Sequence, residues 1–241
     1  MLDIRDVTCS YDGAEALSSV SLRIERGESV AFVGPNGSGK STLLKLVNGV
    51  VLPDSGCYSF DGRQIDRKAL KDTAFAKSFH QRVGLLFQNS DAQLFCASVS
   101  EEVAFGPRQM GLDEAEVDAR VRDCMTLLSI SHLSARAPWH LSEGEKRKVA
   151  LASVLSLNPD VLALDEPMNG LDPKTKRSLR EVLVSLRAAG TTILCSTHDF
   201  AYVEGLFARA VVLSESHTIV RDDSYGAVIA DTLFLVSQNI L

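Results

Sequence analysis

The stretch Gly34-Pro35-Asn36-Gly37-Ser38-Gly39-Lys40-Ser41-Thr42 limits what this chain can be more than any other part of it. It fits the phosphate-loop pattern of Gly, four residues, Gly, Lys, then Ser or Thr. The flanks fit as well. Residues 29–33 are a short apolar run that reads as a buried strand, and Leu43, Leu44, Leu46 and Val47 follow as the start of a helix. Glycines at 34, 37 and 39 let backbone N–H groups turn inward around an anion, with the positive end of the next helix aimed at it. Lys40 reaches the terminal phosphates, and the Ser41 hydroxyl takes one position on Mg²⁺. Gly34, Asn36, Gly37, Ser38, Gly39, Lys40, Ser41 and Thr42 are therefore the candidate nucleotide contacts. The alternative, a glycine-rich turn that binds nothing, leaves the lysine and both hydroxyls unexplained.

Composition narrows the partners. A chain of 241 residues with 45% hydrophobic and 23% charged residues can bury a sizeable core. Its net charge of −6 gives the whole molecule no electrostatic reason to seek nucleic acid. The five cysteines (9, 57, 96, 124 and 195) never form a C-x-x-C pair, which argues for reduced structural thiols and against a zinc site. No window has the roughly 18 apolar residues of a membrane span, and Asp3, Arg5 and Asp6 break any signal-like start.

Along the chain, Leu2, Ile4 and Val7, then Val20, Leu22 and Ile24, alternate as half-buried strands. Tyr11 stands between them, either a packed strand aromatic or a ligand contact. Residues 63–82 are rich in Lys and Arg and read as a solvated helix face. Residues 83–87 return to a buried strand, and Gln88 stands at its end, as an ordinary turn residue or, because strand ends converge on the ligand crevice, as a metal contact. From 89 to 158 the texture is helical. Asp113 and Glu116 form a capping box for a helix carrying Val117, Val121, Met125 and Leu128. The expected organisation is a catalytic core over 1–88 and 159–222, a helical subdomain over 89–158, and an apolar helical tail over 223–241.

Two stretches carry further chemistry. Residues 161–166, Val-Leu-Ala-Leu-Asp-Glu, are an apolar run ended by two acids, as expected of a buried parallel strand whose carboxyl end meets ligand. Asp165 there can hold Mg²⁺ through water while Glu166 orients or deprotonates an attacking water; the alternative is two solvated turn acids before Pro167. His198 ends a later strand in the same manner, as a structural or a catalytic residue. Within 141–152, Ser142 and Glu145 make a capping box, and Ser142 and Gly144 also leave N–H groups open to a phosphate brought opposite them. Spacing does not separate those two readings.

The order and spacing of the phosphate loop, Gln88, Leu141–Glu145, residues 161–166, the turn 170–173 and His198 resemble the ATP-binding-cassette ATPases over residues 2 to 225. The resemblance implies an α/β phosphate-loop NTPase fold. It would be a RecA-like mixed sheet flanked by helices, with an antiparallel β part and an inserted helical subdomain. It also implies ATP and Mg²⁺ as ligands. Tyr11 would stack on adenine, while Gln88 would sense Mg²⁺ and the attacking water. Glu166 would be the base and His198 a contact of the γ-phosphate. Ser142, Gly144 and Glu145 would reach the nucleotide held by a second ATPase subunit, identical or homologous, and Asp172 would couple the two sites. The signature reads Leu-Ser-Glu-Gly-Glu where the family has Leu-Ser-Gly-Gly-Gln, so Glu143 and Glu145 add negative charge beside an anionic ligand.

Residues 86–112, with 140–152, look like the ATPase subunits of energy-coupling-factor importers, the cobalt and nickel branch above all. That narrower resemblance implies a groove around residues 88–106 for a transmembrane subunit, a place on the cytoplasmic face of the membrane, and uptake of a transition metal ion or a vitamin. A soluble or regulatory nucleotide-gated protein with little transport role is the alternative.

Overall fold

The computed structural model describes residues 1–241, save the side chain of Ala201. Two sheets organise it. The antiparallel one has β1 (Leu2–Tyr11) between β2 (Ala14–Ile24) and, beyond the phosphate loop, β4 (Ser55–Phe60), with the two-residue β5 (Arg63–Gln64) at its edge. The other begins with β3 (Ser29–Val33), which runs into the loop and then α1 (Lys40–Asn48).

After β5 come α2 (Arg67–Lys71) and α3 (Thr73–Arg82), each N-capped by an aspartate side chain, Asp66 and Asp72. The basic run of the sequence lies here, and its apolar partner is Phe79, which is fully buried. β6 (Val83–Leu86) follows. Residues 89–158 then contain α4 (Val99–Met110), α5 (Glu114–Leu127), α6 (Glu143–Leu155) and three short 3₁₀ turns, with no strand among the described residues. One local expectation fails in this region. Asp113 does accept from the Glu116 amide, at 2.8 Å, but the Glu116 carboxylate turns to Arg120, 2.7 Å away, so the reciprocal half of the capping box is absent. A guanidinium one turn along outcompetes a single backbone N–H for the carboxylate.

The chain ends with β7 (Val161–Asp165), α7 (Pro173–Ala188), β8 (Thr192–Ser196), α8 (Phe200–Val203), β9 (Arg209–Leu213), β10 (Ile219–Ser224), α9 (Tyr225–Ala230) and α10 (Thr232–Ser237). The second sheet has the order β10-β9-β3-β8-β7-β6. All pairings from β9 to β6 are parallel, and only β10 runs against its neighbour. The carboxyl ends of β3, β8, β7 and β6 therefore lie side by side along one edge. These ends carry the phosphate loop, Ser196 to His198, Asp165 with Glu166, and Gln88.

The apolar runs of these strands have a simple cause: both faces of the sheet are covered, so both sets of alternate side chains are buried. Val30, Phe32, Val161, Ala163 and Leu194 join a core with α1 and the antiparallel sheet. Ala31, Val33, Leu162, Leu164 and Ile193 join a second core with α4 to α7. Helix α1 is held between the two sheets by Leu43, Leu44, Leu46 and Val47, all fully buried, and this fixes the phosphate loop at its amino end. Leu44→Ala should cost about 2–5 kcal/mol, the range for emptying a buried leucine site. Urea unfolding of the variant against wild type measures it, and a loss under about 1 kcal/mol would contradict this packing.

Candidate functional site

The phosphate loop is shaped by close backbone contact. A Cβ on Gly39, at φ 103°, would stand 2.2 Å from the Ala16 carbonyl oxygen, and one on Gly34 would stand 2.4 Å from that of Leu213. Glycine is required at both positions because any side chain would push β2 or β9 away. Lys40 opens α1 and is only 5% exposed, with Nζ donating to the carbonyls of Gly34 (2.7 Å) and Pro35 (2.8 Å). Burial pushes its pKa down, against the pull of Glu166 and Asp165. The ammonium is thus held at the mouth of the loop before any phosphate arrives. A hollow opens there, lined by Tyr11, Ala16, residues 36–42, Gln88, Glu166, Asn169 and His198. Tyr11 is 45% exposed at the end of β1, on the tight turn through Asp12 and Gly13. The packed reading of this ring fails because its strand ends beside the hollow instead of over the core.

Behind the loop, three elements meet on one oxygen. Asp165 Oδ1 accepts from the hydroxyls of Ser41 at 3.0 Å and Ser196 at 2.7 Å. Ser196 Oγ accepts in turn from the Glu166 amide at 2.9 Å. Ser41 and Asp165 offer a hydroxyl and a carboxylate, the hard oxygen donors that suit Mg²⁺ when substrate phosphates and water complete its shell. The Gln88 amide lies one residue over, donating to Glu166 Oε2 at 3.3 Å.

Glu166 itself has φ 46°, a left-handed backbone rare for a residue with a side chain and a recognised mark of functional positions. Its Oε2 also receives Asn169 Nδ2 at 3.1 Å, and its Oε1 lies 2.8 Å from His198 Nε2. Three side chains from different elements hold this carboxylate facing the hollow. Such a carboxylate can accept a proton from water at the loop mouth, provided the phosphates arrive there first.

The other candidates gather elsewhere. A separate hollow is lined by His132, Ser142 to Glu145, Lys148, Asp172 and Thr175, and it shares no lining residue with the first. The structure therefore does not bring Ser142, Gly144, Glu145 and Asp172 to Lys40 within one chain. Ser142 caps α6 in a full capping box: its hydroxyl accepts from the Glu145 amide at 3.4 Å and its amide donates to Glu145 Oε2 at 2.8 Å, which the hydroxyl also reaches at 2.8 Å. The amide first, then the hydroxyl, hold the Glu145 carboxyl below its ordinary pKa. Gly144 packs on α7, where a Cβ would come 3.2 Å from Thr175 Oγ1. Asp172 caps α7 by accepting from the Lys174 and Thr175 amides and the Thr175 hydroxyl, which holds its carboxyl low as well.

Residues 17–169 match the family model described as ABC transporter. A Clostridium acetobutylicum protein described as an ABC transporter ATP-binding protein is 55% identical over 241 residues, covering all of both chains. The chain belongs to the ABC transporter family. It is an ATPase of that family, and its phosphate-loop fold is the family's. The nickel import ATP-binding protein LarO of Lactiplantibacillus plantarum is 43% identical over 222 residues, 92% of each chain. Among solved structures, cbiO1 from Clostridium perfringens, part of the ABC transporter complex cbiONQ, has a TM-score of 0.82 at 35% identity, covering 99% of this chain and 94% of that one.

Three residues packed around this ABC ATPase site escaped sequence reasoning. Ser196 lies opposite Asp165 in the β7–β8 register, and register between distant strands cannot be read from local pattern. Asn169 is three residues past Glu166 in the turn that returns its side chain to the carboxylate. Arg147 is buried on α6 and donates to the carbonyls of Phe87 (2.8 Å) and Gln88 (2.6 Å). A charged residue on an otherwise apolar helix face was the available signal.

Gly39→Ala should weaken ATP binding about tenfold or more, because the loop must shift to relieve the contact with Ala16. Titration with a fluorescent ATP analogue measures this, and an unchanged affinity would refute the close-contact account.

Proposed function

We propose that this chain is the ATP-hydrolysing subunit of an energy-coupling-factor-type importer, seated on the cytoplasmic face of a membrane complex that takes up a transition metal ion, nickel or cobalt, or a vitamin. The likeness to LarO and to cbiO1 supports this reading, and one structural observation carries the docking part of it. An apolar hollow of about 440 Å³ lies beside Gln88, between β6, α4 and the end of α1. Phe95 (64% exposed) and Phe105 (42%) pack edge to face at its rim, with centroids 4.8 Å apart. Two exposed aromatics over an apolar floor suit an inserted helix of a membrane subunit. Among the described residues no helix is long and apolar enough to cross a membrane.

In this reading, hydrolysis needs two chains. The phosphate loop and the Ser142–Glu145 segment lie in separate hollows, so a head-to-tail pair, identical or homologous, closes each nucleotide between one chain's Lys40 and the other's Ser142 and Gly144. Tyr11 stacks on the base, and the loop amides with Lys40 and Thr42 hold the phosphates. Ser41 and Gln88, with Asp165 through water, would hold Mg²⁺, which would neutralise phosphate charge when bound. Glu166 accepts a proton from the attacking water as its oxygen bonds to the γ-phosphorus. The bond to the bridging oxygen breaks, and ADP leaves with that electron pair. His198 steadies Glu166 and meets the γ-phosphate, and Asp172 reports closure from one site to the other.

Glu166→Gln should lower turnover at least about a hundredfold while ATP-bound dimer accumulates on size exclusion. Slow turnover in wild type, unchanged in this variant, would favour a regulatory role. Transport itself is tested by co-purifying the chain with its membrane subunits and measuring ATP-driven uptake of Ni²⁺ and Co²⁺ into vesicles. Hydrolysis indifferent to those subunits would sink the importer reading.

Glu143 brings only partly compensated charge towards the facing nucleotide, since its salt-bridge partner Lys146 is 3.4 Å away and lies closer, at 2.7 Å, to Asp91. Glu143→Gln should lower the ATP concentration for half-maximal turnover about two- to fivefold, with the gain shrinking at high salt as exposed charges are screened. A variant indistinguishable from wild type at low salt would refute the effect.

A further inference from the structure

Arg147 is a buried cation that hydrolysis, as described above, does not use. It lies two residues past Glu145 on α6, is 6% exposed, and pairs with no carboxylate among the described residues. Its Nη1 and Nη2 donate instead to two consecutive carbonyls, Phe87 O at 2.8 Å and Gln88 O at 2.6 Å, while its Nε is buried without a partner. Burying a guanidinium on neutral carbonyls is costly, and leaving one of its N–H groups unsatisfied adds to the cost. A planar fork across two adjacent carbonyls fixes the direction of the peptide between them in a way that a lysine's single ammonium does not.

The clamp is not alone in seating α6 on the sheet. Val154 does that about two helical turns further along, filling the space over Gly84, where a Cβ would meet its Cγ1 at 2.4 Å. What Arg147 restrains is the end of β6, the point from which the Gln88 side chain reaches Glu166 at 3.3 Å. The adjacent Lys146 makes a second, more exposed link to the same loop, 2.7 Å to Asp91. Exposed pairs of this kind contribute little by themselves.

We propose that Arg147 is a positioning residue for Gln88: its guanidinium ties the Phe87 and Gln88 carbonyls to α6, so that the helix start bearing Ser142 and Gly144 and the amide facing Glu166 move as one body. The inference rests on the reading of Gln88 as part of the hydrolytic site. When α6 is displaced, Gln88 is carried with it and its contact with Glu166 is made or lost. Movement at the phenylalanine-rimmed hollow, which Phe87 also lines, passes to both places through one side chain.

The test is a double-mutant cycle on the full chain assembled with its membrane subunits, with kcat and KM for ATP measured for wild type, Arg147→Lys, Gln88→Ala and the pair. Arg147→Lys should lower kcat about tenfold and leave KM within about twofold, since it retains the charge but spans only one carbonyl. In the Gln88→Ala background the same change should have no further effect, because the backbone it positions no longer carries the amide. Equal fold losses in both backgrounds, or no loss of kcat in Arg147→Lys, would overturn the proposal while leaving the site reading intact. Wild-type turnover in Gln88→Ala alone would instead overturn the reading of Gln88 on which it rests. Thermal melting of the four proteins separates these outcomes from misfolding. Arg147→Met serves as a second variant, expected to lower kcat further than Arg147→Lys with the same dependence on Gln88.

Discussion

One carboxylate oxygen, Asp165 Oδ1, ties two strand ends, those of β7 and β8, to the end of the phosphate loop. It accepts hydroxyl hydrogens from Ser41 at the start of α1 and from Ser196 at the end of β8, while Ser196 receives the amide of Glu166. Asp165 is 5% exposed, so these bonds are made where water competes poorly and an unpaired partner would be expensive. Removing Asp165 leaves both hydroxyls without this acceptor, and removing Ser196 leaves the Glu166 amide without its own. The sheet beneath supplies the precision: Asp165 and Ser196 face one another because β7 and β8 pair in parallel with that register. The two cores above and below leave the sheet no room to slip, since a shift of one residue would exchange their side chains.

The same edge concentrates negative charge and strain. Glu166 keeps a left-handed backbone, and its carboxylate is directed by Gln88, Asn169 and His198 from three separate segments. Such a conformation persists only where the surroundings over-determine it. Lys40 offsets part of the charge while resting on loop carbonyls, so the positive group that phosphate needs is already in place. Preorganisation of this kind avoids rearrangement at the moment of reaction. The second hollow is built differently. Its capping residues, Ser142 and Asp172, spend their polar groups on helix starts, and the Ser142 hydroxyl is already given to Glu145.

The sequence was most legible where a local pattern has one physical solution. The phosphate loop needs glycine at 34 and 39 because neighbouring carbonyls fill the Cβ positions, and those glycines stand in a motif that can be read residue by residue. Buried parallel strands read as unbroken apolar runs, which located the ends carrying Gln88, Asp165, Glu166 and His198. Capping at Ser142 was legible for the same reason. The Asp113–Glu116 box was only half right, because Arg120 on the next turn was the stronger partner for Glu116. Tyr11 could not be assigned from its alternation alone, since a strand pattern does not say where the strand stops relative to a cavity.

By itself, then, the sequence determined the chemistry at the loop and the order of strands along the chain, which follow from short-range sterics and hydrophobic period, while the class of fold came from the resemblance its motifs carry. Tertiary structure alone decided which strand lies beside which, and so which side chains meet. Ser196 on Asp165, Asn169 on Glu166 and Arg147 on the Gln88 backbone join residues 31, 3 and 59 apart in the chain. Two of these depend on strand register and helix docking, and the third on the path of a turn. The separation of the two hollows also belongs to tertiary structure, because only the packing of α6 and α7 against the sheet sets how far Ser142 stands from the loop that bears Lys40.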